Sequence, residues 1–98
     1  MSSESRDQRV VSVFFDDHGN LVIEVVDSGP LVEKFFGDSD YEFWYRVAAD
    51  RVDELATRLG SDRAKILETI EEQWLGEKFY ELEAILREPG IEARFSSY

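Results

Sequence analysis

The chain has no cysteine, one histidine and half as many basic as acidic residues, 11 against 22 among 98. Each shortage removes a class of function. Without thiols there is no thiolate nucleophile, disulfide staple or cysteine-based zinc site. No apolar run approaches the roughly 20 residues that a membrane span needs. The opening "MSSESRDQR" is polar and charged with no apolar segment behind it, so it does not read as a secretory signal. It is expected to be a disordered tail over residues 1–8 of a cytoplasmic protein, with a single domain over 9–98. The net charge of −11 repels phosphate backbones and anionic membranes, and it steers the chain towards basic partners.

The lone histidine, His18, lies in "DDHGN" beside Asp16 and Asp17. A general base needs a nucleophile or bound substrate beside it in a water-excluding pocket, which a turn tip does not offer, so His18 reads as a solvated turn residue. "DSDYE" sets Asp38, Asp40 and Glu42 two apart, like the start of a calcium loop. That loop needs glycine at its sixth position and glutamate at its twelfth, where this chain has Phe43 and Ala49. No glycine-rich phosphate loop, serine–histidine–aspartate order or paired glycosidase carboxylates are visible. The expectation is a protein that is not an enzyme, with no cofactor and no metal.

Apolar residues make up 43 % of the chain and aromatics 13 %, enough for one globular domain with a modest core. "RVVSVFF" and "LVIEVVD" read as strands. A three-residue loop of Asp17, His18 and Gly19 pairs Asp16 with Asn20 and gathers Val11, Val13, Phe15, Leu21, Ile23 and Val25 on one face. A two-residue loop would split that set between the faces. "SGPLVEKFFG" reads as a short helix, with Pro30 in its first turn and Gly37 as its stop. "YEFWYRVA" alternates as a third strand with Tyr41, Phe43, Tyr45 and Val47 facing the core.

Three helices follow. Asp50 is expected to cap the first, with the stripe Val52, Leu55, Ala56 and Leu59, and Gly60 ends it. Ser61 is expected to cap the second, with Ile66, Leu67, Ile70 and Trp74. The third carries Phe79, Leu82, Ile85 and Leu86 and stops at "EPG". "IEARFSSY" alternates Ile91, Ala93 and Phe95 as a closing strand. The expected fold is α+β: a four-stranded, largely antiparallel sheet with three helices mainly on one face, in the order β-β-(short helix)-β-α-α-α-β.

"LATRLGSDRAKILETI" has the outline of a helix-turn-helix. Arg63 and Lys65 stand there against Asp62, Glu68, Glu71 and Glu72, a charge balance that opposes docking on phosphates. It reads instead as an α-hairpin, and no nucleic-acid partner is expected.

The other side of the sheet draws more interest. It carries Phe14, Val22 and Val26 where a half-solvated sheet is usually polar, joined by Glu24, Glu42, Trp44 and Arg46. Either helices cover both faces, or this is an apolar patch rimmed by charge, as interfaces are. On the second reading these seven residues form the partner-binding site and Trp44 is its anchor.

The stretch "GPLVEKFFGDSDYEFWYRVAADRVDELATRLG" resembles a group of small, acidic, mostly uncharacterised bacterial proteins. They share a hairpin, a Gly-Pro turn, a "GDSDYE" strand rich in aromatics, helices and a closing strand like "GIEARFSSY". In size and charge the chain is similar to immunity proteins of bacterial toxin systems, which sequester a basic toxin through an acidic surface. The resemblance implies a non-catalytic protein of immunity or antitoxin type that binds a basic protein partner. A small structural or regulatory homodimer is the alternative.

Overall fold

A computed structural model describes residues 8–28 and 40–97. The two β-branched runs form strands β1 (Gln8–Phe15) and β2 (Leu21–Ser28), which pair antiparallel with Phe15 opposite Leu21 and Val10 opposite Val26. Between them the Asp16 N–H donates to the Asn20 carbonyl at 2.9 Å and the Gly19 N–H to the Asp16 carbonyl at 3.1 Å. Gly19 takes φ +80°, a conformation that a side chain would penalise, so the three-residue loop depends on glycine there. The turn thereby sets the register, and the register sets which side chains meet the core.

Strand β3 (Asp40–Val47) pairs antiparallel with β2, and β4 (Arg94–Ser97) pairs antiparallel with β3, giving the sheet order β1-β2-β3-β4. Helices α1 (Val52–Arg58), α2 (Ile66–Gln73) and α3 (Phe79–Leu86) lie between β3 and β4, with 3-10 turns at Ala49–Arg51 and Gly76–Lys78. The expected α+β architecture is therefore present. The short helix expected over residues 30–36 lies outside the described residues, as does the expected tail apart from Gln8, which opens β1.

Helical spacing puts Leu55, Ile66, Ile70, Leu82 and Leu86 on inward stripes, and all five are fully buried against Ile23, Val25, Phe43, Tyr45 and Val47 of the sheet. Burying an aliphatic side chain of this size contributes about 1.5–3 kcal/mol, so this one layer carries most of the stabilisation. Arg9 seals its margin. The guanidinium holds Asp27 in two parallel bonds of 2.6 and 2.8 Å and lies within 6 Å of the Phe43 and Phe79 ring centres, at 5.9 and 5.7 Å.

Two expected caps differ. Asp50 sits inside the 3-10 turn and makes no capping bond, because the helix is entered through that turn from Ala48. Ser61 does not cap α2 either. It belongs to the end of α1, where its N–H bonds the Ala56 carbonyl while the Gly60 N–H bonds that of Thr57, the paired closure that favours a left-handed Gly60. Asp62 instead closes the turn that leads into α2, its carboxylate accepting from the Lys65 N–H at 3.0 Å, and the helix itself has no side-chain cap.

The closing strand is also shorter than its alternation suggests. Ile91 is buried but lies in a turn, and Glu92 takes φ 46°, so pairing begins only at Arg94. Phe95 faces the same side as Tyr45 but stays 52 % exposed, because β4 is the outer strand and only one side of its ring meets the aromatics of β3.

Candidate interaction face

The three helices bury their stripes on the face carrying the odd-numbered residues of β1 to β3, which leaves the even-numbered face as a separate surface. None of Phe14, Val22, Glu24, Val26, Glu42, Trp44 and Arg46 belongs to the hydrophobic core cluster. All seven expected site residues stand on this one face. Phe14, Val22 and Arg46 form one cross-strand row, Glu24 and Trp44 a second, and Val26 and Glu42 a third.

The face is not flat. Six of the seven, all but Val26, line an open hollow of about 240 Å³. Val22 is 5 % exposed and makes its floor, outside the core cluster. Phe14, 40 % exposed, forms one wall and the partly buried Trp44 another. Val10, in the row of Val26 and Glu42, is 59 % exposed. Large apolar side chains left in water beside a buried valine floor are the composition of an interface centre.

Asp16 also lines the hollow, a residue that the sequence placed in the turn and not in the site. Its carboxylate accepts from the His18 N–H at 2.9 Å, the Asn20 N–H at 3.0 Å and the Asn20 side-chain amide at 3.1 Å, and faces the Arg46 guanidinium at 3.5 Å. Partial desolvation opposes its ionisation, but the bonds from Asn20 and His18, with the Arg46 charge, outweigh that and hold its pKa below the ordinary value. Because the folded pKa is depressed, the stabilisation is present above the unfolded pKa of about 3.9 and is lost as pH falls through the lower folded value. Asp16→Ala should therefore flatten the acid limb of the stability curve below about pH 4, measurable by thermal melts between pH 2 and 7.

The acids around the hollow are Asp16, Glu24 and Glu42, three carboxylates against the single guanidinium of Arg46. A second open hollow, of about 260 Å³, adjoins it through Arg46 and is lined also by Asn20, Ala48, Glu92 and Arg94. Arg94 and Glu92 were not among the expected site residues. Their signal was weak, since placing Arg94 opposite Arg46 depends on where β4 begins.

Elsewhere the expected features take ordinary places. His18 is exposed at the turn tip. Arg63, the leading base of the helix-turn-helix outline, precedes α2 and is tied back to Asp53 at 3.1 Å and to the Ala49 carbonyl at 2.7 Å. Of the calcium-like acids, Asp38 lies outside the described residues and Glu42 faces the hollow. Among the described residues no three metal-ligating side chains cluster, and no helix is long and apolar enough to cross a membrane.

Compared with protein-family models, curated proteins and solved structures, the chain finds no match.

Proposed function

We propose that this is a non-catalytic binding protein that engages a basic protein partner through the even-numbered face of its sheet, in the manner of an immunity or antitoxin protein acting in the cytoplasm. The observation that carries the reading is the hollow itself: an apolar floor and walls from Val22, Phe14 and Trp44, rimmed by Asp16, Glu24 and Glu42. Apolar centres supply affinity by excluding water, and the rim charges select and steer the partner. A chain of net charge −11 adds long-range attraction for a cationic surface.

Homodimerisation is the second reading. Among the described strands β1 is an edge, and it carries the exposed Val10 and Phe14 on this face. A second copy seated there would cover both.

The test is affinity capture from the native host at low salt, with sedimentation of the purified chain alongside. A basic protein should be retained, and the double change Glu24→Lys and Glu42→Lys should slow its association and weaken its salt dependence. A dimer in sedimentation, with nothing basic retained, would favour the second reading. A strict monomer that retains nothing would overturn both.

A further inference from the structure

The two hollows differ in charge. The first is lined by three carboxylates and Arg46, the second by Arg46, Arg94 and Glu92. In the β3–β4 register Arg46 stands directly opposite Arg94, and like charges so placed repel. The other arginines with described partners are committed: Arg9 to Asp27, Arg51 to the carbonyls of Pro89 and Gly90, Arg58 to Glu88, and Arg63 to Asp53 and the Ala49 carbonyl. The Arg94 side chain makes no hydrogen bond or ion pair among the described residues, and that of Arg46 has only the long 3.5 Å contact to Asp16. In a chain with twice as many acids as bases, two arginines set opposite each other in the lining of one hollow make a local cationic spot that an anionic group would complement.

The kind of anion follows from the lining. Glu92 opposes the two guanidiniums, so the second hollow has a formal charge of +1, suited to one carboxylate and not to a phosphate dianion. Guanidinium groups hold planar carboxylates by paired N–H donors. One amide hydrogen of Asn20 is bonded to Asp16 and its oxygen accepts the Ala49 N–H at 2.9 Å, which leaves the second amide hydrogen as one further donor. Next door, across Arg46, the acid-rimmed hollow suits the opposite group: a long cationic side chain whose methylenes lie on Val22 and Phe14 beside the indole of Trp44, with its head towards Glu24 and Glu42.

We infer that the paired hollows bind a carboxylate and an adjacent lysine- or arginine-type side chain together, the chemistry of a basic residue at a free chain terminus. This rests on the even-numbered face being the binding surface, and it names the feature of the partner that the face reads. The same chemistry is carried by a free basic amino acid, and the test separates the two sources.

The full chain is titrated at low salt by NMR with N-acetyl-Gly-Gly-Arg as free acid, the same peptide as C-terminal amide, N-acetyl-Gly-Gly-Glu and free arginine. The free-acid arginine peptide should bind with a dissociation constant of about 1 mM or tighter and shift the amides of β3 and β4. Amidation and the glutamate ending should each weaken it roughly tenfold or more. Arg94→Gln, at an exposed edge position, should remove the preference for acid over amide without changing the melting temperature. Glu42→Gln should reduce the preference for arginine over glutamate. Peptide binding clearly tighter than free arginine assigns the site to a chain terminus, and free arginine binding as tightly or tighter assigns it to the amino acid. Equal affinity for acid and amide, or an Arg94→Gln variant that keeps the preference, would overturn the inference. If the peptide does not bind while a basic partner is still captured, this inference fails and the wider reading stands. If neither occurs, both fail.

Discussion

Tyr45→Ala should destabilise the protein by about 3–5 kcal/mol, a large part of the 5–15 kcal/mol that holds a domain of this size together. The ring is 2 % exposed and lies between Phe43, edge-on at 6.1 Å, and Phe95 at 5.3 Å. Its hydroxyl crosses from the sheet to α3 and donates to the Glu83 carboxylate at 2.6 Å. Truncation to alanine opens a cavity where sheet, helix and outer strand meet, and it leaves that carboxylate without its donor. The melting temperature should fall by more than about 12 °C. Tyr45→Phe separates the two contributions, because it keeps the ring and loses only the bond, at roughly 1–2 kcal/mol.

The phenol also makes a pH prediction. Burial, then the hydrogen bond to Glu83 and its negative charge, push the Tyr45 pKa up to about 12, with Arg87 opposing. In the unfolded chain a tyrosine ionises near about 10. The folded pKa is the higher one, so this stabilisation is fully present below about pH 10 and is lost as pH rises through about 12. Wild type should lose its advantage over Tyr45→Phe across that window. Melting curves that stay parallel from pH 9 to 12 would show that the phenol is not held as described.

Much of the fold was legible because its signals have short periods. Alternation from Tyr41 to Val47 separates core from outer face, and a single positive-φ glycine in "DDHGN" sets the hairpin register. The seven expected site residues fell on one face for that reason. Features that depend on a change of local geometry were harder to read. Ile91, Ala93 and Phe95 alternate like a strand, yet the left-handed Glu92 delays pairing to Arg94. Ser61 does not cap α2 because Gly60 and Ser61 are used in closing α1, and Asp62 closes only the turn before the helix. The hollows were least legible of all. The first needs side chains from three strands and the second joins β3 and β4 to the loops beside them, and the Arg46–Arg94 apposition exists only once the start of β4 is known.

Trp44→Ala, one residue along the same strand, should show the opposite profile. Trp44 points to the even-numbered face, is partly buried, and stands outside the core cluster that holds Tyr45. It walls the hollow over Val22 opposite Phe14, with Glu24 directly across the strand pair. Indoles in such positions dominate binding because one rigid group displaces much water at little entropic cost. Its removal should weaken capture of the partner, or self-association if the partner is a second copy, by about 2 kcal/mol or more, roughly thirtyfold. The melting temperature should fall much less than in Tyr45→Ala, since the cavity opens towards solvent and not within the helix-covered layer. Phe14→Ala should act in the same sense, as the facing wall. Affinity by calorimetry or surface capture, set beside melts of Trp44→Ala and Tyr45→Ala, separates interface from core. If Trp44→Ala destabilises a strictly monomeric protein as much as Tyr45→Ala does, the tryptophan is part of the structural core, and the even-numbered face loses its anchor and its claim to be a binding surface.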